Sequence, residues 1–487
     1  MEKQNLNFVN VIKTQKIKFK DFIVSKETPI VWFYFDNESD REKFVKKLQE
    51  NENIYKFILY KNNFSHEIKQ SSYSNSYHDI FSYNSDRDLT KYDILNKDDV
   101  FRTVNFDLQR LIDLSSNNQN SRSVGVLEVG ENYLPSPYIT NNFNHSGIES
   151  LVKEEGETKI DHGIRVSSVA SGDEGIDTKS KIYFSQYTTD SAWQIRFEEL
   201  VKNKNVKIIN HSYGYKPEHE RKHRFYEEES YIVDYLSRKY GVVNIFASGN
   251  TNDEDYNGKE LGWINGKELS YNSIVVGALD KTYNKDVRDN KIADYSNYKL
   301  VKDKSVVGLA KPFVVAPGYY KFKIDDDWGT SYAAPVVTGL ISTLLRIRPY
   351  LDNDDYRLAS IKSILSASAV STNDTEQTKK SNGFSNKYGA GIPDFEKMKE
   401  ATDNLKHFSV YFNDKHDDNI VAESNFYVSS GKTIKASLSW LFNAGLLDKK
   451  DEPTYNANVN WWWFLGPIGG MVANIVEADR LKEKLRV

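Results

Sequence analysis

Four short stretches carry side chains whose types suit acyl transfer. SVGVLEV (residues 123–129) reads as a buried strand with Glu128 near its end, and DHGIRVSSVASG (161–172) places His162 and Gly163 at the opening of a small-residue helix. FASGN (246–250) ends a strand at Asn250, and WGTSYAAPVVTGLISTLL (328–345) sets Ser331 at the start of a helix. A serine hydroxyl becomes a competent nucleophile when a neighbouring imidazole accepts its proton. That imidazole needs a carboxylate on its other nitrogen, to fix the tautomer and stabilise the imidazolium. An amide donor such as Asn250, joined by N–H groups at the Ser331 helix start, can hold the oxyanion of a tetrahedral intermediate. Gly329, Ala333 and Ala334 let helix and substrate backbone approach closely, and Pro335 fits a first helical turn. Taken singly, each residue also has a bland role: His162 as a core histidine, Ser331 as a helix cap, Asn250 as a turn residue.

These residues fall where an open parallel sheet collects its functional groups, at strand C-termini and the helix starts that follow. From about residue 123, strands alternate with helices. VKIINHS (206–212), GVVNIFAS (241–248), SIVVGAL (273–279) and PFVVAPG (312–318) are near-continuous apolar runs, as strands covered on both faces should be. WQIRFEELVKNK puts Trp193, Phe197, Leu200 and Val201 on one helical face, and residues 225–240 do likewise with Phe225, Ile232, Leu236 and Tyr240. The alternation predicts an α/β fold with a doubly wound parallel sheet.

Two smaller regions flank it. TPIVWFYF (28–35) and IYKFILYK (54–61) read as strands around a helix at 39–51, a small α+β unit followed by the polar linker KQSSYSNSYHDIFSYNSDRD. Beyond residue 400 short strands and turns suggest a β-rich module. The expected domains are therefore 1–105, 106–400 and 401–487.

Composition narrows the function classes. The chain has 487 residues, 39% hydrophobic, with 65 basic against 69 acidic residues well interspersed, which gives no electrostatic reason to expect a nucleic-acid partner. With no cysteine, neither disulfides nor thiolate metal sites can form. The opening MEKQNLNFVNVIKTQK lacks the apolar core of a signal peptide, so the expectation is a cytoplasmic protein or one whose export segment lies outside this sequence. WWWFLGPIGGMVANIV (461–476) is apolar but broken by glycine and proline, and shorter than the roughly 20 residues a spanning helix needs, which favours strands and turns over membrane contact.

Together the four stretches resemble the subtilisin-like serine proteases, in that family's order of acid, histidine, asparagine and serine. INHSYG (209–214) resembles the strand lining the substrate cleft, ASGN the oxyanion motif, GTSYAAP the serine motif, and KYGAGIPD (387–394) a turn late in the catalytic domain. The resemblance spans about residues 123–400. It implies a subtilisin-like fold and a serine endopeptidase in which Ser331 attacks, His162 carries the proton and Asn250 with the Ser331 amide forms the oxyanion hole. Ser212, Tyr213, Gly214, Ala247, Ser248 and Gly249 would line the substrate cleft, and no cofactor or metal is implied. The departure is Glu128, where the family has aspartate. Glutamate is one methylene longer, and glutamate triads occur on other folds, so we take Glu128 as the residue that orients His162. The alternative is a solvated Glu128 with Asp161 in its place, or a binding protein on a protease scaffold that has lost its chemistry.

HERKH (219–223) matches the H-E-x-x-H zinc signature, but it sits in a charged run without apolar flanks and is read as a chance match. Asp325, Asp326 and Asp327, just before the serine motif, are read as solvating a loop rather than selecting basic substrates. The N-terminal unit suits either a prodomain or a domain gripping a substrate or partner. Lys-, Asn- and Tyr-rich composition, VGVLEVG and LSWLFNAGLL (438–447) resemble the mycoplasma subtilisin-family proteases. That closer resemblance implies a cell-surface enzyme cutting antibody heavy chain together with an antibody-binding partner, with its membrane anchor missing from this sequence.

Overall fold

The computed structural model describes residues 1–14, 18–49, 66–68, 93–115, 122–130, 143, 147–151, 162–215, 224–252, 258, 260–281, 283–300, 311–323, 325–373, 384–407, 435–442 and 472–473. In chain order, the N-terminal unit holds α1 (Glu2–Thr14), β1 (Asp21–Val24), β2 (Val31–Tyr34) and α2 (Glu38–Gln49). The hairpin β1–β2 and both helices close over Ile12, Phe44 and Leu48, with Phe19 edge-to-face against Phe33 and Phe44, and Phe33 tilted against Phe44. The expected strand at 54–61 and the linker that begins at Lys69 lie outside the described residues; between them lies β3 (His66–Ile68), which the sequence reading did not single out.

Next come α3 (Lys97–Thr103), α4 (Asp107–Ser115), β4 (Ser123–Val129), β5 (Ile148–Ser150), α5 (His162–Ser171), β6 (Lys181–Tyr187) and α6 (Asp190–Glu198), the last continued by a π-helical turn. They are followed by β7 (Ile208–His211), β8 (Tyr213–Tyr215), α7 (Glu228–Tyr240), β9 (Val243–Ala247), β10 (Ile274–Leu279) and β11 (Val314–Pro317). The hairpin β12 (Tyr319–Lys321) and β13 (Asp326–Trp328) leads into α8 (Thr330–Ile347), and α9 (Arg357–Ser368) and α10 (Phe395–Asp403) follow. Late in the chain, β14 (Lys435–Ala436) pairs in parallel with β15 (Val472–Ala473). The rest of the expected apolar stretch 461–476 lies outside the described residues.

Seven strands form one sheet in the order β11-β10-β9-β7-β4-β6-β5, every pairing parallel. This is the doubly wound α/β architecture expected. Helices cover both faces. On one, α5 and α8 pack over Val124, Val126, Ile208 and Ile245; on the other, α6 and α7 pack over Leu127, Ile209 and Phe246. Ile94, Val100, Phe101 and Val104, upstream of residue 106, lie in the first of these cores. In β6 apolar residues alternate with Lys181, Tyr183 and Ser185, and its neighbour β5, at the edge of the sheet, is only three residues long. Among the described residues, no helix is long and apolar enough to cross a membrane.

The N-terminal unit sits on the α6–α7 face through polar contacts. Trp32 Nε1 donates to Gln194 at 2.8 Å, Tyr34 donates to Ser191 at 2.6 Å, and the Ser25 hydroxyl donates to Glu198 at 2.5 Å. Glu27 receives Lys202, Lys239 and Tyr240, and these partners hold its carboxyl down at about 2 although burial alone would raise it.

Candidate active site

Strand parity places the acid. Alternate residues of a strand share a face, and Val124 and Val126 point to the core beneath α5 and α8, so Glu128 points the same way at the strand's C-terminal end. The helix that covers this end is α5, and its first residue is His162. Glu128 Oε2 lies 3.1 Å from His162 Nδ1, both side chains being almost fully buried. Gly163 makes the approach possible, because a Cβ there would come within 2.5 Å of the Phe184 ring and 3.0 Å of Glu128 Cγ. The longer glutamate is thus accommodated beside a residue with no side chain. Burial pushes the Glu128 carboxyl above its ordinary value, while His162 and the backbone amide of Ser212 pull it back.

Ser331 stands in the first turn of α8, a helix buried along nearly its whole length. Pro335, four residues on, lacks the N–H that would bond the Ser331 carbonyl. The Ser212 hydroxyl takes that place, donating to Ser331 O at 2.8 Å. In return Ser331 Oγ donates to the Ser212 carbonyl at 3.2 Å. The start of α8 and the strand end at Ser212 are therefore stitched together at Ser331 itself. No hydrogen bond joins Ser331 Oγ to His162, whose Nε2 has no hydrogen-bond partner among the described residues. Without substrate, catalytic hydrogen bonds are often long and tighten when the complex forms.

Asn250 follows β9. Its Oδ1 accepts from the Thr330 amide at 2.9 Å and the Thr330 hydroxyl at 2.8 Å, which fixes the direction of the NH2 end. The Thr330 hydroxyl also accepts from the Gly249 amide at 3.0 Å, with Gly249 at φ +109°, a conformation that favours glycine. Ala247 and Ser248 end the same strand. Ser212, Tyr213 and Gly214 cross the same end of the sheet, where β8 pairs antiparallel with β3, Glu67 opposite Gly214. The Tyr213 side chain is turned into the core, its hydroxyl meeting Trp193 Nε1 at 2.8 Å and His211 Nδ1 at 2.6 Å, so only its backbone lies along the cleft.

Three contributors were not singled out from sequence. Thr330 was legible in the GTS motif. Arg165 and Tyr332 were not, since the partners of Arg165 are distant and that of Tyr332, Asp327, is one of an ambiguous run of acids. The reading of Asp325–Asp327 as loop solvation is corrected for two of them: Arg165 donates to Asp325 at 2.7 Å and Asp327 at 3.1 Å, and Asp327 is buried. Asp161 and HERKH lie outside the described residues. Among the described residues no group of three His, Asp or Glu side chains is placed to hold a metal ion.

Comparisons with known proteins bear on the whole arrangement. The subtilase family model, peptidase family S8, matches residues 68–391. Pyrolysin from Pyrococcus furiosus is 28% identical over 143 residues, which cover 24% of this chain and only 10% of pyrolysin's length. Among solved structures, the patellamide maturation protease PatA is 18% identical, covering 58% of this chain and 98% of its own, with a TM-score of 0.42. Fervidolysin from Fervidobacterium pennivorans, described as a keratinolytic enzyme related to subtilisin, is 17% identical, covering 65% and 47%, also with a TM-score of 0.42. By a match that takes in all four of the stretches carrying Glu128, His162, Asn250 and Ser331 and the whole parallel sheet, the chain belongs to the subtilase family.

Proposed function

We propose that this chain is a serine endopeptidase working through an acyl-enzyme, with Glu128, His162 and Ser331 as its triad. The observation that carries the reading is the buried 3.1 Å contact between Glu128 and His162 Nδ1. A carboxylate on Nδ1 commits that nitrogen to donating, so Nε2 is the lone-pair side and can act as base. Ser331 then gives its proton to His162 as Oγ attacks the scissile carbonyl. The developing oxyanion takes hydrogen bonds from Asn250 Nδ2 and the Ser331 amide at the helix start, where the backbone dipole favours negative charge. His162 returns the proton to the leaving amine, and water, activated by the same imidazole, releases the acyl group.

The N-terminal unit is read as prodomain-like. Its docking through Trp32, Tyr34 and Glu27, and the antiparallel pairing of β3 with β8, support a segment of this chain lying along the cleft strand as a substrate would. For substrate, the short strings and composition resembling the mycoplasma immunoglobulin proteases support an antibody heavy chain, presented by an antibody-binding partner outside the cell.

A second reading, a binding protein on a protease scaffold, is favoured by one detail: Ser331 Oγ donates to Ser212 O and not to His162. Fluorophosphonate labelling followed by intact mass separates the two. The triad reading expects one label on wild type, none on Ser331→Ala, and labelling of Glu128→Gln slowed by roughly 10³–10⁴-fold, as when a triad acid loses its charge. Folded wild type that takes no label, both as the full chain and after removal of the residues through β3, would sink it.

A further inference from the structure

His162 and Ser331 belong to different helices, α5 and α8, and the structure contains a second, charged connection between them. Arg165 lies on α5 one turn beyond His162, on the same side of the helix. It is almost fully buried, and its guanidinium makes three hydrogen bonds to carboxylates: Nη1 donates to Asp325 Oδ1 at 2.7 Å and to Asp327 Oδ2 at 3.1 Å, and Nη2 to Asp325 Oδ2 at 3.2 Å. Both acids belong to the β12–β13 hairpin region that feeds directly into the Ser331 turn. Asp327 Oδ2 also accepts the hydroxyl of Tyr332, the residue after Ser331. The Tyr332 ring lies 5.8 Å from the His162 ring, and Phe322 and Tyr320 pack behind it at 5.9 and 5.8 Å. The guanidinium also stacks over Phe322 at 5.1 Å. A planar fork held by two carboxylates fixes distance and angle far better than apolar packing does.

We propose that Arg165 is a positioning residue: by tying the His162 helix to the Asp325–Asp327 hairpin and, through Asp327, to Tyr332, it sets the approach of the His162 imidazole to Ser331. The proposal rests on the protease reading above. Among the described residues, the titratable or charged groups around His162 are Glu128 from β4, Tyr332 from α8, Arg165 on its own helix, and Asp325 and Asp327 from the hairpin.

The test measures fluorophosphonate labelling of the full chain between pH 5 and 9, separating the maximal rate from the half-saturating concentration. Arg165→Met should lower the maximal rate by about 10–100-fold, the size expected for a small misplacement of reacting groups, with half-saturation unchanged. Arg165→Lys should recover part of it, because charge returns without the fork. The acid limb of the profile should move to higher pH in Arg165→Met, where two anions near the imidazole lose their cation. It should move to lower pH in Asp327→Asn, where one anion is removed. A merely structural role would not shift the two limbs in opposite directions. Tyr332→Phe keeps the ion pair and loses only one hydrogen bond, so it stays informative should Arg165→Met not fold; a several-fold slower maximal rate is expected. Folded variants that label at the wild-type rate with the wild-type pH profile would overturn this proposal alone. A wild type that does not label, with or without the residues through β3, would overturn the triad reading and the proposal with it.

Discussion

Two buried histidines stand near the same end of the sheet, on opposite faces, and their surroundings differ in kind. His211 ends β7 pointing into the α6–α7 core. It stacks flat on Phe246 at 4.1 Å, and both ring nitrogens are occupied, Nδ1 by the Tyr213 hydroxyl at 2.6 Å and Nε2 by Asn244 Oδ1 at 3.0 Å. With neutral partners and no carboxylate, burial pushes it down to about 3, so it is neutral throughout the physiological range. His162 meets a carboxylate on one nitrogen and, among the described residues, has no hydrogen-bond partner on the other. Burial alone does not make a histidine a base. What distinguishes His162 is a carboxylate on one ring nitrogen and, on the other, no hydrogen-bond partner among the described residues.

The sharpest break of this contrast is to remove each ring. His162→Ala should lower the fluorophosphonate labelling rate by at least ~10³-fold, since proton removal from Ser331 loses its acceptor. His211→Gln, which keeps polar groups near Tyr213 and Asn244, should leave labelling within about threefold at pH 7. Comparable losses in both, with both variants folded, would mean that the two sites are not separable as described.

The contrast extends to two asparagines. Asn244 is spent on His211 and on the Ser237 hydroxyl, to which its Nδ2 donates at 2.8 Å. Asn250 is anchored at its carbonyl end by Thr330, which aims its donor end. Asn250→Ala should therefore slow acylation of a peptide substrate by about 10²–10³-fold while half-saturation moves little, because an oxyanion donor acts in the transition state. An effect confined to half-saturation would assign Asn250 to substrate binding.

The same two histidines show how far sequence reaches. Strands β4, β7, β9, β10 and β11 were legible because strands buried on both faces are written as unbroken apolar runs. β6 was not, since KIYFSQY interleaves lysine, tyrosine and glutamine whose environment is set by a neighbouring edge strand. Glu128, His162, Asn250 and Ser331 were legible because each sits in a short local string whose small neighbours have a steric purpose, as Gly163 does beside Phe184. The Arg165 clamp was not, because its partners lie 160 and 162 residues away and nothing local distinguishes a buried acid from a solvated one. The pairing of β3 with β8 is likewise invisible to any local pattern.

The smallest effect, and the one most specific to the contrast, is in acid stability. The His211 value in the folded chain, about 3, lies below the 6.5 of an unperturbed histidine. As pH falls below 6.5 the unfolded chain takes up a proton there that the folded chain refuses until about pH 3. Stability from this group is thus fully present above 6.5 and is lost progressively on acidification, by about 2–3 kcal/mol between pH 6.5 and 4.5. Glutamine at 211 cannot titrate, so the urea midpoint of wild type should fall relative to that of His211→Gln as pH is lowered through that window, whichever protein is the more stable at pH 7. Labelling of Ser331 at pH 7 should be the same in both to within the threefold set above. Parallel stability profiles would mean that His211 is charged or solvated in the folded chain, and the distinction between a sealed histidine and an open one would then have to rest on Glu128 alone.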